Sequence, residues 1–507
     1  MFGWIRHKIE RERRTSYVPS GEESGDVRFT GNSLEDMIGI RSQLSGTSDF
    51  MVREVTVCGI SVHLLMFEGM FNLQTMTEIL IEPLTSLVLE GPSPQKLLQW
   101  VRGRAVLGAD QNEVYTTSAL FPFLMAGFVG VMIDGVEPVI VVGIQGYNFR
   151  SISEPSAETN VRGSREGFTE PIRINMTMIR RRIKSPTLVM RLRQAGGKSK
   201  TDLCLVYLSD MVSPEILREV EYRLSQVSMD TVLESGYIQP FLDTRRPALF
   251  SNVGTTERPD TLCAKVSEGR IGVLVDGTPF ALIVPYFFNE HFQSIDDYAG
   301  RPYYAAFNRW LKYLAFFFTI LLPGVYVAVG TFHPELFPES LLLNIAAAEE
   351  STPFPLMLEA LIIHFIYELM REAGLRLPRP VGHAVSIVGA LVIGDAAVTA
   401  GIIGSPMVMV VALTAISSFV VPSLYEPVTV LRFAFIVIGG WMGLYGITLG
   451  LALVLVNICG INAYGVPASS PESPFQLFPM RDVLIRLGWR KLGKEKLRVQ
   501  KLPGSEL

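Results

Sequence analysis

Long apolar runs without charge occupy the C-terminal part of the chain. Tyr313 to Phe332 contains no charged residue over 20 positions, and a helix of that length covers about 30 Å, the hydrocarbon thickness of a bilayer. Ala384 to Tyr425 contains one charged residue, Asp395, and Phe433 to Pro471 contains none. Each of these two longer runs has room for two membrane crossings. The pattern predicts a polytopic α-helical membrane domain.

The region before the first run alternates apolar and polar positions and contains an internal repeat. Gly130 to Gly135 reads GVMIDG and Gly272 to Gly277 reads GVLVDG, with apolar runs on both sides of each. Asp-Gly between two such runs is a strong hairpin signal, because Gly adopts positive φ without steric cost. The two motifs therefore predict two hairpins in related parts of the chain.

A second pair of matching segments precedes these turns. Val62 to Phe67 and Leu203 to Leu208 have the composition of strands, and each leads into a helix with a suitable N-cap, Asn72 and Ser213. Because the offset between copies is about the same as for the hairpins, we interpret the region as a duplication.

We therefore predict an α+β integral membrane protein, in which a duplicated cytoplasmic α/β region precedes the polytopic helical domain. The predicted segments are a basic, flexible N-terminal segment at 1–44, subdomain 1 at 45–148, a linker at 149–170, subdomain 2 at 171–310, the membrane domain at 311–471 and a basic cytoplasmic tail at 472–507.

The composition agrees with a chain that is exposed partly to water and partly to lipid. Charged residues make up 19% of the 507 positions, against about 25% in soluble domains. The formal net charge of −4 does not favour binding to nucleic acid. The four cysteines are too few and too scattered for a disulfide scaffold, which indicates ordinary thiols in a reducing compartment.

The charges that flank the apolar runs predict the topology. Residues 1–14 are basic but lack the apolar stretch of a cleavable signal, so the N-terminal region is expected to stay in the cytoplasm. Arg301, Arg309 and Lys312 precede the first run, whereas residues 335–350 contain Glu and no Lys or Arg. Because the tail is again basic, both ends are expected to be cytoplasmic and the crossings to number four or six.

Motifs for catalysis are missing from the sequence. It contains no GxxxxGK[ST], no GxGxxG after a strand, no HExxH and no GxSxG. The six histidines form no cluster with the spacing of metal ligands. We therefore expect neither an enzyme, nor a cofactor, nor a metal site.

Ionisable residues inside the apolar region are the first candidate site, because such groups are costly in hydrocarbon unless they face water or a partner. One group lies on a helix at the spacing of successive turns: Glu359, His364, Glu368, Arg371 and Glu372. An internal salt-bridge network is the favoured interpretation, and direct ion contact the alternative. Asp395 is either a pore-facing carboxylate or a carboxylate bonded to a neighbouring backbone.

The predicted linker carries a second candidate motif, Arg162-Gly163-Ser164-Arg165-Glu166-Gly167-Phe168. Its backbone amides and guanidinium groups could cradle an anion; the favoured alternative is a structured turn held by Arg–Glu pairs. The basic run from Arg180 to Lys184 could bind lipid head groups, or form a solvated helix face or a subunit contact.

Several blocks of residues together resemble a known family. In chain order they are Glu154 to Glu158, Val161 to Gly163, Arg165 to Glu170, Arg180 to Arg182, Thr256 to Asp260, Glu268 to Arg270, Asp296 to Tyr298, Pro323 to Ala328, Arg371 to Pro378, Ser386 to Asp395 and Pro406 to Thr414. The chain resembles the A subunits of GerA-type spore germination receptors from about Asp49 to Arg490. It departs from the family pattern at Ser164, where the family usually has Pro.

The resemblance implies a role in spore germination. It implies a protein of the spore inner membrane that works with a transporter-like B subunit and a lipoprotein C subunit. It also implies a homo-oligomeric ring whose membrane helices conduct monovalent cations when a nutrient germinant binds. The linker residues that match the family motif are Glu158, Arg162, Gly163, Arg165, Glu166 and Gly167.

A helix face in the second apolar run is the predicted pore lining within such a ring. Its residues follow one face of a helix: Val385, Val388, Val392, Asp395 and Thr399. In a ring, Asp395 would form a ring of carboxylates, a feature that selects cations.

Two other functions fit the same sequence. The chain could be a sporulation-expressed paralogue of the A subunits, acting as a scaffold or accessory channel. It could also be a secondary transporter of small nutrients, because broken apolar helices often hold substrates at the membrane midplane. Against transport, the membrane half has no detectable internal repeat.

Overall fold

The computed structural model describes residues 26–104, 110–146, 155, 158, 160, 162–244, 248–376, 394–493 and 497–507. The chain divides into two compact units. Unit 1 comprises Met1–Ser151, Arg173–Leu192 and Leu208–Asp210. Unit 2 comprises Ile152–Ile172, Arg193–Tyr207 and Met211–Leu507, and it includes the long apolar helices.

Two five-stranded sheets share one strand order. The first is β1-β2-β4-β5-β3 and the second is β6-β7-β9-β10-β8. The strands are β1 Phe50–Val57, β2 Ile60–Phe67, β3 Gln111–Val114, β4 Phe128–Ile133, β5 Val139–Gly143, β6 Leu188–Ala195, β7 Thr201–Leu208, β8 Gly254–Thr256, β9 Ile271–Val275 and β10 Ala281–Val284. A short pair, β11 Asn462–Ala463 and β12 Val466–Pro467, lies near the C-terminus.

The register of the strands confirms the duplication. Val62 on β2 is paired antiparallel with Ile133 on β4, and Leu203 on β7 is paired antiparallel with Val275 on β9. The predicted N-caps are also confirmed: the Asn72 side chain accepts the N–H of Thr75, and Ser213 accepts that of Glu215.

The helices are α1 Ser33–Gln43, α2 Leu73–Met76, α3 Glu82–Thr85, α4 Pro94–Arg104, α5 Thr117–Leu124, α6 Ile172–Arg182, α7 Pro214–Ser225, α8 Gln239–Leu242, α9 Pro259–Val266, α10 Asp296–Ala299, α11 Pro302–Phe332, α12 Glu339–Glu350, α13 Leu356–Arg376, α14 Ser405–Ser418, α15 Tyr425–Cys459 and α16 Trp489–Leu492. A π-helical turn, Thr77–Ile81, joins α2 to α3.

Each Asp-Gly turn also fixes the helix that begins its repeat. Gly135 and Gly277 adopt φ of 85° and 87°, as the predicted hairpins require. The Asp134 carboxylate accepts the N–H of Ser33, the first residue of α1, at 3.1 Å. Asp276 accepts the N–H of Ile172, the first residue of α6, at 2.9 Å. The first copy therefore includes α1, a helix within residues 1–44.

The first sheet is covered on both faces. Side chains alternate along β2, so that Leu64 and Met66 join one buried cluster whereas Leu65 and Phe67 join another. Helix α4 contributes Leu97 to the first cluster. Continuous apolar strands such as β4, which is buried throughout, are explained by these two cores.

The basic run on α6 does not form a solvated face at its first arginine. Arg180 is 1% exposed, and its guanidinium donates two hydrogen bonds, of 2.7 and 2.8 Å, to the Asp49 carboxylate. It also donates to the carbonyl oxygen of Leu188 at 3.0 Å. Arg180 is therefore an internal cross-link of unit 1 and is not accessible to lipid.

Two helices among the described residues are long and apolar enough to cross a bilayer, Pro302–Phe332 and Pro422–Cys459. The second does not run straight. Gly443 has φ 61° and ψ −152°, which is far from helical geometry and accessible mainly to Gly. A Cβ on Gly450 would lie 2.9 Å from Cε1 of Phe435, although a straight helix would separate these residues by about 22 Å.

Helix α15 is consequently folded back on itself at Gly443. Its arms, 425–442 and 444–459, measure about 27 and 24 Å. The first arm also lies close to α11, where a Cβ on Gly324 would be 2.6 Å from the carbonyl oxygen of Phe435. Small residues permit this approach of two backbones.

The C-terminal residues pack within unit 2 as well. The Arg309 side chain on α11 is fully buried and donates to Asp297 at 2.9 Å and to the carbonyl oxygen of Val483 at 2.9 Å. Further on, the N–H of Val499 donates to the carbonyl oxygen of Glu268 at 3.1 Å. Residues that were predicted as a basic tail are thus attached to α11 and to the loop before β9.

The Arg180–Asp49 pair predicts a large effect of a single substitution. Asp49→Ala leaves a buried guanidinium without its counter-charge, and we expect a loss of about 3–5 kcal/mol in the free energy of unfolding. Denaturant unfolding of the purified protein, followed by circular dichroism, measures it.

The exposed pair of Arg173 and Glu68, at 2.5 Å in the same unit, provides the control. Glu68→Ala should cost less than about 1 kcal/mol. Equal losses in the two variants would contradict the structural role of Arg180.

Candidate functional site

A cluster of charged side chains joins α13 to α15. The Glu368 carboxylate accepts a hydrogen bond from Nε of Arg371 at 3.1 Å, and it also accepts from the Tyr425 hydroxyl and from Nη2 of Arg432. The Arg432 side chain is fully buried. We call Glu368, Arg371, Tyr425 and Arg432 the Glu368 cluster.

The Glu368 cluster contains more positive than negative charge. Two guanidinium groups share one carboxylate, and Arg371 also stacks on the Tyr425 ring at 3.5 Å from its centroid. Nε and Nη1 of Arg432 have no hydrogen-bond partner in the described part of the chain. Glu368 is therefore the counter-charge on which the burial of Arg432 depends.

Glu359 and His364 were predicted for the same network, but their hydrogen bonds are made outside the Glu368 cluster. The buried Glu359 carboxylate accepts the N–H of Gly404 at 2.7 Å, immediately before α14, where a negative charge is favoured by the helix dipole. His364 is fully buried, and its Nδ1 donates to the carbonyl oxygen of Ala360 at 2.8 Å. Both interactions fix neighbouring backbone.

Glu372 pairs outside the Glu368 cluster, although it lies one turn after Glu368. It accepts from Nε of Arg376 at 2.9 Å, near the exposed end of α13. Of the five predicted residues, the structure joins Glu368 and Arg371 directly. Sequence reasoning missed Arg432 and Tyr425; the available signal was a single arginine at the border of a long uncharged run.

The predicted pore face lies partly outside the described residues, which exclude Val385, Val388 and Val392. Asp395 and Thr399 lie one turn apart on helical residues 394–399, and both side chains are exposed. Asp395 has neither an ion-pair nor a hydrogen-bond partner among the described residues. A carboxylate in this position is available to water or to another molecule.

The linker motif is held by Arg258, which belongs to the family block Thr256 to Asp260 and was not predicted to contact the linker. Arg258 is buried, pairs with Asp260 at 2.7 Å, and donates to the carbonyl oxygens of Ser164 and Glu158 at 2.7 and 3.3 Å. The N–H of Arg162 donates to Asp296 at 3.2 Å. These contacts hold the linker residues in a structured turn.

The remaining residues of the motif differ in exposure. Arg162, Gly163 and Arg165 are exposed, Glu166 is half-buried and Gly167 is buried. The N–H of Glu166 donates to the Ser164 hydroxyl oxygen at 3.3 Å. Glu158 accepts from the Thr256 hydroxyl at 2.7 Å, and burial raises the pKa of the Glu158 carboxyl to about 7.

Within the part of the chain that the structure describes, no three His, Cys, Asp or Glu side chains lie together as metal ligands.

The protein-family model described as "Bacillus/Clostridium GerA spore germination protein" matches residues 39–497. The chain is 38% identical to spore germination protein KA of Bacillus subtilis (strain 168), over 92% of this chain and 87% of that protein. It is 34% identical to the uncharacterized membrane protein YfkQ of the same strain, over 95% and 94%. It is 32% identical to spore germination protein GerLA of Bacillus cereus, over 91% and 94%.

The chain is also similar to a solved structure. The crystal structure of the N-terminal domain of the A subunit of the Bacillus megaterium spore germinant receptor GerK3 aligns with 52% of this chain and 98% of that chain. The TM-score is 0.42 and the sequence identity is 26%.

Because Glu368 balances buried charge and Glu372 does not, we expect their neutralisation to lower the stability of the protein by different amounts. Glu368→Gln leaves both guanidinium groups without a counter-charge and should lower stability by about 3–5 kcal/mol. Glu372→Gln, at the exposed pair, should cost less than about 0.5 kcal/mol. Unfolding in detergent, followed by circular dichroism, compares them.

Arg432→Met should restore part of the stability lost in Glu368→Gln, because the uncompensated buried charge is removed. If the double variant were no more stable than Glu368→Gln alone, the charge imbalance would not be the cause of the loss.

The raised pKa of Glu158 predicts that the stability of the protein depends on pH. Between the ordinary value of 4.5 and about 7, the folded protein holds a proton at this carboxyl that the unfolded chain has released, so this contribution to stability is lost as pH rises. Glu158→Gln should therefore be more stable than the parent at pH 8, by up to about 3 kcal/mol, and nearly equal to it below pH 4.5.

Thermal unfolding of both proteins across this pH range measures the difference. Glu170→Gln, an exposed linker residue, should change stability equally little at every pH. A constant difference between Glu158→Gln and the parent would show that burial does not shift this carboxyl.

Proposed function

The chain belongs to the GerA family of spore germination proteins, and from this premise we propose that it is the A subunit of a nutrient germinant receptor. In this proposal, several copies form a ring in the spore inner membrane and conduct monovalent cations when germinant binds. Its partners are a transporter-like B subunit and a lipoprotein C subunit.

Insertion into a membrane is supported by the surface of the apolar helices. Only 50% of the most apolar stretch of α11 and 28% of that of α15 are buried within the chain. Trp441, Tyr445 and Val456 of α15 are at least two-thirds exposed. A soluble protein rarely leaves so continuous an apolar surface to water, whereas a bilayer covers it.

Separate crossings by the two arms of α15 are part of the proposal. Each arm has about the length of the hydrocarbon layer, and the fold at Gly443 places both termini of α15 at the same end. Together with α11, this supports several crossings.

Exposed Asp395 is the observation that carries the proposed ion pathway. An ionisable group at membrane depth faces water or a partner, because hydrocarbon disfavours its charge. Thr399 presents a hydroxyl one turn away on the same side of the segment. In a ring, these two positions would form successive circles of carboxylates and hydroxyls, which suit dehydrating cations.

The Glu368 cluster has a supporting role in this proposal. Its excess positive charge repels cations, so the pathway runs past Asp395 and away from Arg432. Glu368 and its partners hold α13 to α15.

Asp395→Asn is expected to lower potassium flux through the reconstituted receptor severalfold and to reduce the preference for cations over anions. Flux from proteoliposomes, with and without the B subunit and germinant, measures both. Glu350→Gln, which removes an exposed carboxylate of α12, is the control and should leave flux unchanged.

Unchanged flux and selectivity in Asp395→Asn would exclude this carboxylate from the pathway. Flux by the chain alone that ignores the B subunit and germinant would favour an accessory channel over a receptor subunit.

A further inference from the structure

A surface of large apolar side chains surrounds the start of α11. Tyr303 is 71% exposed, Trp310 57% and Trp489 61%. We define the interface belt as these exposed residues together with their exposed neighbours on the same two segments: Tyr303, Tyr304, Phe307, Trp310, Ile485 and Trp489.

The two segments of the interface belt are fixed against each other. The Trp489 indole N–H donates to the carbonyl oxygen of Tyr298 at 3.1 Å. The buried Arg486 guanidinium donates to the carbonyl oxygens of Tyr298 and Gly300 at 3.3 and 3.4 Å. A Cβ on Gly488 would lie 3.8 Å from Pro302, the first residue of α11. Residues 485–489 therefore continue the surface of the helix.

The length of α11 places the interface belt at the edge of a bilayer. Its 31 residues measure about 46 Å, close to the 40–45 Å of a bilayer that includes both head-group layers. If α11 crosses the whole layer, its first turns lie at head-group depth. Tyr and Trp are enriched there, because each has an apolar ring and a polar tip.

The exposed charges on the two segments of the interface belt are all positive. Arg301, Arg490 and Lys491 are exposed, whereas residues 298–334 and 483–493 contain no Asp or Glu. A surface that combines aromatic rings with cations is complementary to anionic lipid head groups. It is less suited to a second copy of itself, which would oppose like charges.

We propose that the interface belt docks the C-terminal segment 483–491 onto anionic lipid head groups at the cytoplasmic face of the membrane. This inference rests on the membrane insertion of the proposed function, and it adds a second membrane contact. Through Arg486 and Trp489, the anchored segment holds the start of α11 at the level of the head groups.

Depth-dependent quenching tests the proposal on the full chain in vesicles. The five tryptophans permit variants that keep only Trp489, Trp310, Trp441 or Trp100, with the others changed to Phe. Lipids brominated near the glycerol should quench Trp489 and Trp310, and should leave Trp100 of the first sheet's helix α4 unquenched.

The same quenching experiment is repeated in vesicles of different lipid charge. Quenching of Trp489 should be stronger in vesicles that contain phosphatidylglycerol than in phosphatidylcholine alone. Arg490→Gln with Lys491→Gln should remove this difference, because each lost cation weakens attraction to the anionic surface about fivefold. The matched control, Lys198→Gln with Lys200→Gln, neutralises two exposed lysines beside β7 and should change nothing.

The outcomes separate this proposal from the one on which it rests. Quenching of Trp310 and Trp441 with none of Trp489 would overturn the docking and leave membrane insertion intact. Equal quenching of Trp489 in neutral and anionic vesicles would overturn the preference for anionic lipid. Disulfide cross-links between copies that carry Trp489→Cys would show that a second chain covers the surface, which also overturns it.

Discussion

Burying a guanidinium group without leaving its charge unpaired is the constraint on which most of the structure depends. Arg180, Arg309, Arg432 and Arg486 are among the largest fully buried side chains. Arginine cannot release its proton in a protein, so each must find carboxylates or carbonyl oxygens where it is buried. Each of them consequently joins segments that are distant in sequence: α6 to the start of β1, α11 to residue 482, α15 to α13, and residue 486 to the start of α11.

This constraint also explains the limits of prediction from sequence. Period-two alternation and Asp-Gly turns are local signals, and they predicted the strands, the hairpins and the duplication. The partner of an arginine is decided by the fold. Arg180 stood in a run of three arginines and was therefore interpreted as a surface residue, although Asp49, 131 positions away, pairs with it inside unit 1. Glu368 was found, but Arg432 was not.

The glycines of the apolar helices also have roles that are decided by the fold and not by the local sequence. The last apolar run contains Gly439, Gly440 and Gly443 within five residues. The structure folds α15 at Gly443 and uses Gly439 for the close approach to Gly324. Both roles need a residue without a side chain, so composition alone cannot distinguish a turn from a packing contact.

The distribution of buried charge indicates which parts of unit 2 move together. Separation of α11 from residues 482–486 would deprive the buried Arg309 of Asp482 and of the Val483 carbonyl oxygen, at a cost typical of a broken buried pair, about 3–5 kcal/mol. Separation of α13 from α15 would do the same to Arg432. Among the described residues, 394–404 have no buried ion pair; the Glu359 carboxylate accepts the N–H of Gly404, and Ile403 packs in a buried apolar cluster. Movement of the residues beside Asp395 therefore breaks no buried ion pair, and this is where the proposed ion pathway requires a conformational change.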